Sequence, residues 1–192
     1  TKFFKRHNPA TLIPHNGKKF KMNAAAGAAV EANKAGYLVY MTGYSQEHLD
    51  VIGKTLMQGE YYSKELSLFD KNAIEGFVKE IDALKKKTGL YVHLVHYGGA
   101  SDTKVKLPGD SVFSDPWSVP SEAIEPIVAN SVVTWFNILQ PLRNTFKTQT
   151  FTKVILISAI TSLRTKRLHS LDAIQKGAAH AMARSLALDF VK

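Results

Sequence analysis

The 192-residue sequence contains no cysteine. That excludes a disulfide framework and any thiolate metal site, and it suits a reducing compartment. Proline is sparse, with seven residues, and the twelve glycines follow no period, so a collagen-like or Pro-rich chain is excluded. No apolar run reaches the roughly 18–20 residues of a membrane-spanning helix. The basic residues 1–8 lack the apolar stretch of a secretory signal. No internal repeat or low-complexity segment stands out. What is present is ordinary globular material, 45% hydrophobic and 21% charged, enough to bury a substantial core. The expectation is a soluble, cytoplasmic domain.

Acidic side chains are the scarcer sign, and the net charge is +9. It is unevenly placed. Residues 1–23 carry six Lys/Arg and no acid, and residues 140–192 carry nine Lys/Arg against two acids. The segment between them is net acidic. Such asymmetry points to an anionic ligand: cofactor phosphates, a phosphopantetheine carrier or nucleic acid. A solvated basic surface is the plain alternative. Nucleic acid has the weakest support, because neither interleaved aromatics nor a recognition-helix pattern accompanies the charge.

Strand-like and helix-like segments alternate. Apolar, β-branched or aromatic runs at 9–14, 37–42, 65–69, 90–95 and 151–157 predict strands. Residues 24–35, 45–57, 72–87, 121–144 and 171–190 predict helices, with Ser45 and Ser121 as N-caps, Gly36 as a stop and Pro141 as a kink or end. This alternation calls for an α/β fold, a doubly wound parallel sheet in three layers, since parallel strands need crossover connections. Ligands then bind beyond the carboxyl ends of the strands, at loops 14–23, 42–45, 96–120 and 158–170. Two of these, 14–23 and 158–170, hold much of the basic excess.

The order of pieces resembles the short-chain dehydrogenase/reductase family along essentially the whole chain. The segment from Lys176 to Phe190 looks like the stretch after that family's active-site lysine. Val95-His-Tyr-Gly-Gly-Ala100 looks like the turn after its fourth strand, Ala129-Asn130 like its helical asparagine, and Val154 to Ser158 like its fifth strand. The resemblance implies one Rossmann-like domain over residues 1–192, NADP or NAD as cofactor, and a small-molecule or carrier-bound carbonyl substrate. It also implies a homo-oligomer packed through the helices at 121–144 and 171–190. Because family chains continue past this point, the fold is expected to be incomplete at its carboxyl end.

The motifs depart from the pattern. In the family's Tyr-x-x-x-Lys pair the tyrosine protonates the carbonyl oxygen, and the lysine holds the nicotinamide ribose. Here Lys176 is kept, the tyrosine position is Asp172, and the serine position falls on Ala159 beside Ser158. A carboxylate four residues from a lysine is held in its charged form and has no proton to give. An ion pair that positions Lys176 is therefore the simpler role for Asp172. His169, Tyr97, Ser158 and Thr161 remain as conceivable donors. The resemblance assigns Lys176, Asn130, Ser158 and Asp172 to the catalytic centre.

The glycine-rich phosphate turn is reduced to Gly17 and Gly27. Lys18, Lys19 and Lys21 can substitute charge for close backbone approach, or simply face solvent. Asn16, Gly17, Lys18, Tyr44, Tyr97, Gly98 and Lys176 are thus the candidate cofactor ligands. Gly43 and Tyr44 decide neither NAD nor NADP, and Ser67 stands where an adenine-binding aspartate is common. Without its glycines, the loop at 14–23 is expected to depart from the phosphate-binding turn. The seven histidines form no metal-ligand spacing, His93 reads as core, and Trp117 as a pocket-lining candidate. Two functions follow: an atypical reductase, or a non-catalytic relative that binds a nucleotide or a partner protein.

Overall fold

The computed structural model describes residues 12–15, 18–21, 23–56, 60–97, 116–164 and 167–189. The chain divides into two compact units, Thr1–Ser67 and Leu68–Lys192.

The first unit opens with β1 (Leu12–His15) and β2 (Lys18–Lys21), paired antiparallel with Leu12 opposite Lys21. This corrects two expectations. The strand at 9–14 is not a member of a parallel pair, and residues 14–23 are not simply a loop. Asn16-Gly17 stands between the two runs, and that dipeptide is the strongest short-range hairpin signal a sequence carries. Helix α1 (Ala24–Lys34) follows, capped by Asn23, whose Oδ1 accepts from the Ala26 amide at 2.8 Å. Gly36 turns the chain out of it at φ +84°, where a side chain would be strained.

Next come β3 (Val39–Gly43), α2 (Gln46–Gly53) and β4 (Tyr61–Glu65), with β3 and β4 parallel. Ser45 caps α2 as expected, accepting from the His48 amide. Leu49 and Ile52 bury against Val39, Met41 and Ala26, so the helical apolar stripe meets the strand's inward face. The third strand lies at 61–65 rather than 65–69. Tyr40 and Tyr62 stack across the pair at 5.7 Å, which favours this register. Leu66 is buried just beyond it.

The second unit holds α3 (Lys71–Thr88), β5 (Leu94–His96), α4 (Ser121–Lys147), β6 (Val154–Leu156) and α5 (Ser170–Asp189). β5 and β6 are parallel, with His96 opposite Leu156. Ile74, Phe77, Val78 and Ile81 form the buried stripe of α3, and Gly89 ends the helix at φ +70°. α4 differs from expectation at both ends. Pro120 occupies the cap position without a side-chain bond, so Ser121 is already helical. The helix also runs through Pro141 to Lys147. Buried Ile138, Leu139, Leu142 and Phe146 bracket the proline, and their packing outweighs the hydrogen bond it lacks.

Gln149 ties the end of α4 to the approach of β5. Its Oε1 accepts from the Val92 amide at 2.7 Å and its Nε2 donates to the Val92 carbonyl at 3.0 Å, which mimics a strand pair. The side chain is buried, and both backbone groups depend on it. Gln149→Ala is expected to destabilise this unit by about 2 kcal/mol, the cost of leaving such groups unpaired. Chemical denaturation checks it; an unchanged midpoint would contradict it.

Candidate active site

Four elements of the second unit converge where the parallel pair ends: β5, β6, the turn after β6 and the start of α5. Asp172 and Lys176 lie one helical turn apart on α5, on the same face. Both are buried, at 6% and 4% exposure. The Asp172 carboxylate accepts a hydrogen bond from Thr161 Oγ1, itself buried in the turn after β6. Burial pushes the Lys176 ammonium below the ordinary lysine range, and the Asp172 charge works against that shift. A further cation-stabilising contact comes from the residue after β5. Lys176 Nζ stands over the ring of Tyr97, 4.8 Å from its centroid.

His96, the last residue of β5, is 7% exposed and packs edge-on against Trp135 of α4 at 6.3 Å. Desolvation first, and the nearby Lys176 charge second, lower its pKa to about 4. It is therefore a neutral imidazole at pH 7. Its Nε2 and the Trp135 indole Nε1 are buried without a hydrogen-bond partner among the described residues. The sequence marks His96 only by its place at the end of the fourth strand, beside Tyr97, and the expected site did not include it.

Ser158 donates its hydroxyl to the Lys176 carbonyl at 2.8 Å. Ser162 completes this corner, with its Oγ 2.6 Å from the Ala159 carbonyl and 2.8 Å from His180 Nε2. The corner thus fixes the backbone around Ala159, the position without a hydroxyl. Gln175, also buried, donates to the Ile127 carbonyl and holds α5 against α4, where Leu171 packs on Val119, Ala123 and Ile127.

The structure therefore gathers Lys176, Asp172, Ser158 and Tyr97 from the candidate residues and Thr161 from the conceivable donors, and adds His96. Asn130 lies on α4. Tyr44 follows β3 in the first unit and is exposed. Lys18 lies on β2, while Asn16, Gly17 and Gly98 fall outside the described residues. Trp117, in the short turn at Pro116–Ser118, is 93% exposed. Trp135 is core. His93 is half-buried rather than core, and its Nδ1 accepts from the Lys153 amide at 3.1 Å.

No family model and no curated protein matches the sequence. Solved structures do. A short-chain dehydrogenase/reductase from Vibrio parahaemolyticus is similar at 19% identity and a TM-score of 0.65, over 85% of this chain and 69% of that one. A metagenomic short-chain oxidoreductase in complex with NADP is similar at 17% identity and a TM-score of 0.68, over 85% and 70%. An NADPH-bound short-chain oxidoreductase from Pseudomonas aeruginosa, containing an atypical catalytic center, is similar at 13% identity and 0.67, over 86% and 62%. The chain has the short-chain dehydrogenase/reductase fold. It spans between about three-fifths and seven-tenths of the length of these three. The doubly wound α/β class expected from the alternation is thereby established. No described helix is long and apolar enough to cross a membrane.

Taken each by itself, the second unit offers a feature suited to a nicotinamide nucleotide, and the first departs from the fold's usual phosphate turn. A buried ammonium has three donors suited to ribose hydroxyls. At the start of α1, by contrast, Asn23 Oδ1 already occupies an amide that a phosphate would otherwise take. The antiparallel pair before it engages backbone groups of residues 12–15 and 18–21 in its own ladder. Backbone cradling of phosphate is thus reduced there, and the charge of the lysines on β2 is what remains.

Proposed function

We propose that this chain is an atypical NAD(P)-dependent oxidoreductase that reduces a ketone or acyl-thioester carbonyl, small or carrier-bound. The observation that supports it most is Lys176, a desolvated cation with the Asp172 charge nearby, at the carboxyl end of the β5–β6 pair. Keeping a lysine 4% exposed is costly unless something uses it. When bound, the nicotinamide supplies a hydride. Lys176 would hold the nicotinamide ribose, with Asp172 and Thr161 fixing its charge and direction. Ser158 would fix the backbone beneath it through the Lys176 carbonyl, and Asn130 of α4 would complete the centre. Lys18, with Asn16, Gly17 and Gly98, would meet the phosphates. Tyr44 would face the adenosine portion, and Tyr97 the nicotinamide portion.

The same proposal carries a homo-oligomer and a cytoplasmic setting. Exposed Ile124, Val133 and Phe136 on α4 and Ile174 and Leu188 on α5 are the apolar surface such packing would cover. A monomer by sedimentation at micromolar concentration would count against that part.

A second reading rests on a specific observation. Ser158 and Thr161 both donate to internal acceptors, so a non-catalytic protein that binds a nucleotide or a partner would look the same here. Calorimetric titration with NADPH and NADH separates them. The reductase reading predicts binding, weakened about tenfold or more by Lys176→Met, roughly the 1.4 kcal/mol of one lost charged contact. It also predicts turnover on a panel of ketones and acyl thioesters. Binding without turnover favours the second reading, and an absence of binding contradicts the first.

A further inference from the structure

We propose that Tyr97 is the acid that protonates the substrate oxygen, in place of the side chain missing at position 172. This rests on the oxidoreductase reading above and names the group it leaves open.

Of the conceivable proton donors, three are committed to internal acceptors. Thr161 gives its hydroxyl hydrogen to the Asp172 carboxylate and is buried at 6% exposure. Ser158 gives its own to the Lys176 carbonyl. His169 Nδ1 lies 2.8 Å from the Arg167 carbonyl, which can only accept. That bond commits the Nδ1 proton. His96 is neutral at pH 7 and buried. Asp172 already accepts from Thr161.

Tyr97 differs on each point. It is 43% exposed and directly follows β5, and its hydroxyl makes no hydrogen bond among the described residues. Its ring face carries the Lys176 ammonium at 4.8 Å. That contact keeps the phenol beside the group proposed to hold the nicotinamide ribose. Tyrosine four residues before the lysine on a helix achieves this pairing from the same element. Here the phenol comes from the strand end, and the lysine meets its face.

The step balances. A reduced nicotinamide delivers hydrogen with its electron pair to the carbonyl carbon, and the C=O π pair moves to oxygen. Tyr97 Oη–H breaks, a new O–H bond forms, and the ketone becomes a secondary alcohol. The nicotinamide is oxidised, and solvent returns a proton to the Tyr97 phenolate.

Tyr97→Phe keeps the ring and its contact with Lys176 and removes only the acidic proton. With a ketone that the wild-type chain reduces, kcat is expected to fall about 100-fold or more, the usual contribution of a positioned acid. KM and the calorimetric dissociation constant for NADPH are expected to stay within about threefold, since the ring contact that supports Lys176 is retained. Tyr97→Leu, which removes the ring as well, should also weaken NADPH binding. A Tyr97→Phe variant with kcat within about threefold of wild type overturns the proposal and leaves the oxidoreductase reading standing. Wild-type protein that binds NADPH without turnover, or does not bind it, overturns both.

Discussion

Asp172→Ala should destabilise the second unit by about 3–5 kcal/mol, the cost of leaving a buried charge without its partner. Lys176 is 4% exposed, and burial already pulls its pKa down against the opposing pull of Asp172. With the carboxylate gone, the ammonium loses its countercharge while keeping the Tyr97 ring face, and the Thr161 hydroxyl loses its acceptor. The double variant Asp172→Ala/Lys176→Met tests the cause. If the loss comes from the stranded charge, the double variant should recover most of it, since neither an unpaired cation nor an unpaired anion remains. Urea denaturation of wild type, both single variants and the double variant measures the cycle. Additive losses, or a single-variant loss below about 1 kcal/mol, the ordinary value for exposed pairs, would contradict a buried, coupled pair.

Lowering the pH should expose a second weakness, at His96. Its pKa is about 4 in the folded chain against 6.5 for a free imidazole. Below pH 6.5 the unfolded chain takes up this proton while the folded chain does not. Stability from this group is therefore complete above about pH 6.5 and is lost as the pH falls toward 4. Across that window the loss from this one group is about 3 kcal/mol, following the roughly 1.36 kcal/mol per pH unit of linkage. His96→Phe should keep the edge-on contact with Trp135 and remove the titration. The denaturation midpoint, followed from about pH 7.5 to 4 so as to bracket the titration, should then fall less steeply in the variant. Parallel profiles would show that the imidazole is not desolvated as described. At neutral pH the variant should be no less stable than wild type, because it also removes a buried, unpartnered Nε2.

Much of this arrangement is legible in the sequence. The five helices among the described residues are legible: an apolar stripe marks α2 and α3, and alanine-rich runs mark α1 and α5. The pairing of Asp172 with Lys176 follows from spacing alone. What stays hidden depends on contacts between distant segments. The strand Tyr61–Glu65 is polar and only partly buried, and it is specified by pairing with β3, which no local pattern announces. The more apolar 65–69 imitates a strand because of Leu66 and Leu68, although Leu66 fills a core beyond the strand. The hairpin at 12–21 carries its signal openly in Asn16-Gly17, but the family pattern obscures it, because missing glycines suggest a degraded phosphate turn rather than a formed hairpin. Pro141 reads as a helix end in isolation, and four buried apolar neighbours overrule it. At the site, the ring of Tyr97 beneath Lys176 joins a strand end to a helix far along the chain, so only the fold reveals it.

The most direct test is a crystal structure of the chain soaked with NADPH. The account predicts the nicotinamide ribose at Lys176, with its hydroxyls within hydrogen-bond distance of Nζ and the nicotinamide beside Tyr97. A nucleotide bound away from Lys176, or no nucleotide at concentrations that saturate ordinary nicotinamide enzymes, would contradict it.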